Sequence, residues 1–434
     1  MDKRLYNISL LGLSFLFLFG AFQTIGNIEE TLLKSVQNED PSFTGDGYTS
    51  LSISYFGFAM ANWISPSIVN YTGCKIAMFI GAICYTMFLV SFLWLSSFLL
   101  YLMSGLQGFG AAILWTGQGT YLTLNSDSST MSRNTGIFWA LSNMSMVLGN
   151  TFVSLALNDK NDFDEPTRKF ILIVLIASSV LGTLLFLLLR SPVSSDGTMN
   201  ERVETIGSIQ EIKNTMSLFL TKEMRLLNIT FFFTGLHLSF YASVYSSSIG
   251  FTKRIGSNSK QLVGLSGILI GVGEILGGLI FSILGQKSSD NNTNSKGLSH
   301  SAVIVLGFIV NIVAYGLIFI NLPNDSPFGD TTAISFIDPN QHLALFCSFL
   351  LGFGDSCFNI QLDNIIGLRY SENSAPPMAL FNFMQSIAAA VGFYYSNYFG
   401  IYVQLILLMV SLTMATFSFL KVDESTNKRY YEEL

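Results

Sequence analysis

Charge is scarce in this chain: only 12% of its 434 residues are Asp, Glu, Lys or Arg, about half the roughly 25% of an ordinary soluble domain. What basic residues there are form no run dense enough to hold nucleic acid, so that class of partner is excluded. Cysteine is equally sparse. Cys74, Cys84, Cys347 and Cys357 make neither a CxxC pair nor a cluster with His, so no disulfide framework, no metal site and no cofactor is expected. They read as small buried hydrophobes. The glycine pairs Gly108/Gly110 and Gly352/Gly354 lack both a preceding strand and a following Lys-Ser/Thr. They are therefore helix-packing positions rather than phosphate loops. With no soluble domain, no nucleophile elbow and no coherent catalytic constellation, no catalytic residues and no enzyme are expected.

What the chain has instead is apolar length. Half its residues are hydrophobic, Phe alone occurs 38 times, and mean hydropathy is +0.50. A helix needs about 20 mostly apolar residues to cross a bilayer core. Twelve such stretches follow one another at 5–32, 48–70, 74–95, 97–123, 134–157, 169–190, 224–250, 261–284, 300–321, 342–367, 377–399 and 400–420. The first follows Met1-Asp2-Lys3-Arg4 and mimics a signal peptide. It lacks a small-x-small cleavage site and runs on through Gln23 and Asn27, so it reads as a spanning helix. An even number of spans puts both termini on one side. Placing them in the cytosol gathers most of the 22 Lys and Arg on that face, as the positive-inside bias requires.

The longest loop, 191–223, divides the chain into an N-terminal half, 1–190, and a C-terminal half, 224–420, with a cytosolic tail at 421–434. Within the loop, Ile206, Ile209, Ile212, Met216 and Leu220 have nearly helical spacing and predict a short helix along the inner membrane surface. The halves echo each other. Gly105-Leu106-Gln107-Gly108-Phe109-Gly110 in span four parallels Phe349-Leu350-Leu351-Gly352-Phe353-Gly354 in span ten. Phe138 and Gly149 in span five parallel Phe381 and Gly392 in span eleven. The expected fold is therefore all-α: a twelve-transmembrane-helix major facilitator bundle of two pseudo-symmetric six-helix halves.

Several strings carry a finer resemblance. They are Gly20-Ala21-Phe22-Gln23-Thr24-Ile25-Gly26-Asn27, Gly47-Tyr48-Thr49-Ser50, Ala112-Ile113-Leu114-Trp115-Thr116-Gly117-Gln118-Gly119 and Asn125-Ser126-Asp127. Arg133-Asn134-Thr135-Gly136-Ile137-Phe138-Trp139 and Gly352-Phe353-Gly354-Asp355-Ser356-Cys357-Phe358-Asn359 complete the set. The chain resembles the uncoordinated-93-like branch of the major facilitator superfamily, and its orphan major-facilitator-domain-containing members most of all. The resemblance implies a transporter fold and two kinds of role, ion-channel regulation and receptor trafficking. Sugar and drug carriers of the superfamily carry an acidic-and-arginine signature between spans two and three. This chain has Asn70-Tyr71-Thr72-Gly73-Cys74-Lys75 there, which keeps only the glycine and one positive charge.

Polar groups inside a bilayer are costly and face a partner or a wet cavity. Span one carries Gln23, Asn27 and Glu30 on one face, and span ten carries Asp355, Asn359 and Asp363 on one face. Span four adds Gln107 and Gln118, and span seven adds Thr234, His237 and Tyr241. In the major facilitator fold these four spans line the central cavity. The expected substrate-binding residues are thus Gln23, Asn27, Gln118, His237, Asp355 and Asn359, with Glu274 or Asp355 taking a coupling proton. The competing reading makes the same groups interhelical hydrogen bonds that fix the bundle. Glu274 shares a helix face with Gly267, Gly271 and Gly278, which predicts a smooth seam for another helix. The sequon Asn324-Asp325-Ser326 falls on a predicted outer loop and marks Asn324 for a glycan, though Pro327 disfavours its use.

Two functions follow. One is secondary transport of an unidentified small solute or ion by rocking of the halves. The other is regulation or chaperoning of another membrane protein, such as a potassium channel or a receptor, through a lipid-exposed helix face.

Overall fold

A computed structural model describes residues 3–126, 130–158, 160, 163–191, 215–256, 258–289, 299–370 and 375–433. Every long element is helical because apolar side chains surround the backbone, and a spanning backbone must satisfy its N–H and C=O groups within its own helix. The chain divides into two compact units, Met1–Ile212 and Lys213–Leu434. The first holds α1 (Lys3–Glu39), α2 (Gly47–Ala61), α3 (Ser65–Thr72), α4 (Cys74–Ser91), α5 (Ser97–Leu124), α6 (Met131–Ala156) and α7 (Glu165–Leu187). The second holds α8 (Lys222–Ser239), a π-helical turn (Phe240–Val244), α9 (Tyr245–Phe251), α10 (Ser259–Ser289) and α11 (His300–Asn321). It closes with α12 (Gln341–Arg369), α13 (Ala375–Ser396) and α14 (Ile401–Glu433). The bulk of the central loop, with Ile206, Ile209 and Ile212 of the predicted surface helix, lies outside the described residues, as does Asp127.

Among the described residues a helix or helix pair stands at each of the twelve expected spans, with two internal corrections. The second expected span is two helices, α2 and α3, parted at 62–64. Pro66 stands in the first turn of α3, where its missing N–H costs nothing and its ring restricts the residue before it. The seventh is continuous but changes register through the π turn between α8 and α9. Nine of the described helices are long and apolar enough to cross a bilayer. The broken α2–α3 pair is excluded by its length. Amides in the middle of the other two, Asn150 in α6 and Asn382 and Gln385 in α13, lower their hydropathy. Two helices also outrun their spans. α1 continues to Glu39 rather than 32, and α14 continues to Glu433 rather than 420.

The two units repeat one packing scheme. In the first, α1 packs on α6 and α7, α5 on α2 and α4, and α4 on α7. In the second, α8 packs on α13 and α14, α12 on α10 and α11, and α11 on α14. The sequence echoes sit at matching contacts. Phe138 meets Phe15 edge-on at 4.9 Å, and Phe381 meets Phe231 at 5.0 Å. A Cβ on Gly149 would stand 2.0 Å from Thr24 Oγ1, and one on Gly392 2.0 Å from Ser239 Oγ. Gly108 and Gly352 press equally hard, on the backbone carbonyls of Ser54 and Ile270. Each of these glycines is there because no side chain fits between the helices.

The aromatic core of the first unit gathers Phe15, Phe19, Tyr85, Trp115 and Phe138, with ring centroids 4.9 to 5.3 Å apart. Such rings bury large areas in favourable edge-to-face geometry. One further correction concerns α10. The seam against α12 runs over Gly273 and Gly277, whose Cβ atoms would meet Phe349 O at 2.3 Å and Ser356 Cβ at 2.6 Å. A Cβ on Gly278 would find only Ile360 Cδ1, at 4.0 Å. The close face is therefore turned away from Gly278 of the expected row, because the carbonyl ridge of α12 fits the Gly273/Gly277 notch.

Candidate functional site

The second unit concentrates its mid-span polar groups. Asp355 of α12 is 8% exposed, and its Oδ2 accepts a hydrogen bond from Asn359 Nδ2 at 2.8 Å, one turn along the same helix. Asn359 Oδ1 in turn accepts from Gln385 Nε2 of α13 at 3.3 Å, and the same Nε2 reaches Thr234 Oγ1 of α8 at 3.2 Å. Glu274 of α10 is half-buried. Its carboxyl and that of Asp355 are charge neighbours, and the Tyr241 hydroxyl stands beside both. Tyr241 lies in the π turn, and the extra residue of that turn re-aims side chains that a regular helix would carry elsewhere. Ser356 Oγ ties the two backbones by donating to Glu274 O at 2.8 Å.

His237 sits one turn before Tyr241 and is 1% exposed. Its Nε2 donates to Leu351 O at 3.2 Å, since a carbonyl can only accept, and Tyr315 Oη of α11 lies 2.6 Å from Nδ1. Phe233 stacks on the ring at 5.6 Å. His237 is thus part of the packed wall behind the carboxyl pair, while Asp363, placed on the same stripe as Asp355, is exposed at the far end of α12. Further along, Arg369 pairs with Glu223 at 3.0 Å and pins the end of α12 to the start of α8.

In the first unit the expected residues make separate helix–helix bonds. Gln23 Oε1 accepts from Ser145 Oγ at 2.7 Å, and Asn27 Nδ2 donates to Asn150 Oδ1 at 2.7 Å, both joining α1 to α6. Glu30 Oε2 accepts the N–H of Gly47 at 2.8 Å, at the start of α2, with Lys34 at 3.6 Å. A carboxylate is well placed at a helix N-terminus. Gln118 is buried in α5, beside a motif that packs: Thr116 Oγ1 meets Ser65 Oγ at 2.7 Å, and Trp115 stacks on Trp139 at 5.9 Å. Asn125 receives Asn7 Nδ2 on its Oδ1 at 2.7 Å, and its backbone carbonyl receives Asn134 Nδ2 at 3.2 Å. These motif residues join the ends of α1, α5 and α6.

Asn324 is exposed in the loop after α11, with its Oδ1 accepting the N–H of Tyr402 at 3.1 Å, while Ser326 of the same sequon is fully buried. Three further polar residues, Gln385, Tyr315 and Glu29, escape the sequence reading. The first two lie in spans outside the four that line the central cavity of the fold, from which the polar stripes are read. Glu29 is masked in sequence by its neighbour Glu30, although it is 0% exposed.

The profile of ion channel regulatory protein UNC-93 matches residues 43–420. The UNC93-like protein MFSD11 of Xenopus tropicalis is 40% identical, with 99% of this chain and 98% of that protein covered. Protein unc-93 homolog A of Homo sapiens is 22% identical, covering 98% and 95%. Among solved structures, the nucleoside transporter NupG superposes with a TM-score of 0.64 at 16% identity, covering 97% of this chain and 99% of that one. The peptide transporter POT in complex with sulfate gives 0.67 at 12%, covering 97% and 93%. At such identities the likeness speaks to the fold, and the fold is the major facilitator bundle. This multi-pass membrane protein belongs to the UNC-93 family.

Proposed function

We propose that the protein is a secondary transporter whose coupling carboxyls are Glu274 and Asp355, with Asn359, Gln385 and Thr234 as the polar groups beside them. The observation that carries this reading is the acid pair sharing Tyr241 at a π turn in mid-span. Two neighbouring carboxyls in a poorly hydrated site cannot both hold full charge, so the pair takes up a proton or a cation. The described Lys and Arg of this unit support it. Lys222, Arg225, Lys253, Arg254, Lys260 and Arg369 stand near helix ends and in loops, and Lys421 lies beyond the apolar run of α14, leaving the pair for a proton, a cationic solute or a neutral polar one. Both termini face the cytosol on this reading, as the distribution of Lys and Arg favours.

A second reading, regulation of a partner membrane protein such as a channel, draws on the family's description and on the reduced signature at Gly73-Cys74-Lys75. A flux screen in proteoliposomes separates the two. Transport predicts movement of a solute or ion by the wild type that Asp355→Asn and Glu274→Gln abolish. No flux in the wild type, with stoichiometric co-purification of a channel, favours regulation.

A further inference from the structure

The first unit holds a carboxyl that the reading above does not use. Glu29 of α1 is 0% exposed, and neither of its side-chain oxygens has a hydrogen-bond partner among the described residues. Its neighbour Glu30 is fully engaged by the N–H groups at the start of α2 and by Lys34. Glu29 is not. Ser50 of α2 stands beside it, but its hydroxyl is bonded to Ser104 Oγ of α5 at 2.9 Å. The charges around Glu29 are unfavourable to a second anion: Glu30 on its own helix and Asp46, which caps α2 by accepting the N–H of Thr49 at 2.7 Å. Lys34 is spent on Glu30, and Tyr101 Oη of α5 accepts the backbone N–H of Asp46 at 3.1 Å.

An ionised carboxylate buried among protein groups with neither a hydrogen bond nor a cation from them is among the costliest groups to bury, and taking a proton is its ordinary escape. We propose that Glu29 is a proton-binding site of the N-terminal unit, occupied in this conformation and emptied when α1 and α2 part far enough to admit water. The ligand is the proton itself. The site is independent of the Glu274–Asp355 pair, so its test stands whether or not the protein transports.

The geometry makes the junction sensitive to such a change. A Cβ on Gly47 would lie 2.8 Å from the Glu30 backbone, so α1 and the start of α2 touch directly beside Glu29. A charge appearing there would meet Glu30 and Asp46 across a contact with no slack. Released, the proton leaves an anion that must be hydrated, and the closest route to hydration is separation of the two helices.

Infrared pH titration of the purified full-length protein tests this. The wild-type-minus-variant difference spectrum at neutral pH should show a protonated-carboxyl carbonyl component for Glu29→Gln and none for Glu30→Gln, with the Glu274–Asp355 contribution common to all three. Thermal melting adds a second reading. The folded state holds a proton that the unfolded chain has released above the ordinary glutamate range, so stability falls as pH rises there. Glu29→Gln, which mimics the protonated acid in shape, should fold and melt with a shallower pH slope than the wild type. No carboxyl component in the wild-type-minus-Glu29→Gln difference, or identical pH slopes in the two proteins, overturns the proposal.

Discussion

Single side chains in the second unit show how little slack the bundle leaves. Tyr315 and His237 meet at 2.6 Å with both residues buried, so Tyr315→Phe removes a buried partner without changing shape. Leaving such a group unsatisfied costs about 1–3 kcal/mol, and the variant should melt lower in detergent while keeping its helical circular dichroism. A charge pair at the loop end of the same unit yields a pH prediction. Asp330, in the loop between α11 and α12, is half-buried, which pushes its carboxyl up. Lys260 at 2.8 Å and Lys253 at 3.0 Å outweigh that and hold it below the usual aspartate range. A depressed carboxyl stabilises the fold above its unfolded pKa and loses that contribution as pH falls through its folded value. Asp330→Asn should therefore destabilise at neutral pH by roughly 2 kcal/mol, since Lys260 is nearly buried and would lose its anion. The deficit should vanish in acid, as melting curves from neutral pH downward will report.

Among elements, the contacts between helices are set by where side chains are missing. A Cβ on Gly352 would stand 2.0 Å from Ile270 O, whereas one on Gly316 of α11 meets nothing within 4 Å. Gly352→Ala should cost about 1–3 kcal/mol through forced separation of α12 from α10, and Gly316→Ala should cost nothing. Size-exclusion profiles and melting of the two variants check the contrast. The glycine pairs and the Phe138/Phe381 echo are legible in sequence because packing at these positions has a residue-type signature. So are the twelve spans, since a bilayer demands apolar length. Pro66 marks the break before α3, but the unbroken apolar run hides it. The π turn carries no such mark: its register arises from how α8 and α9 pack, and Phe-Tyr-Ala-Ser-Val reads as ordinary helix. For the same reason Tyr241, Gln385 and Glu274 are readable as polar residues in spans, but not as neighbours. Their meeting depends on helix rotation, which also sets the α10 seam on Gly273/Gly277 rather than Gly278.

On the scale of the molecule, two six-helix units repeat one packing scheme and differ in what they bury. The first joins α1 to α6 through Gln23–Ser145 and Asn27–Asn150; the second carries the acid pair on α10 and α12, which pack as α2 and α5 do in the first, with Gln385 of α13 beside it. That asymmetry is the basis for assigning coupling to the C-terminal unit. The measurement that bears on it most directly is lumenal pH in proteoliposomes, read with a trapped dye while a flux-positive solute gradient is imposed. Coupling through the acid pair requires proton movement with the wild type, unchanged movement with Gly316→Ala, and none with Asp355→Asn at equal protein content. Solute flux that proceeds in Asp355→Asn with the same proton movement as in the wild type would rule that coupling out.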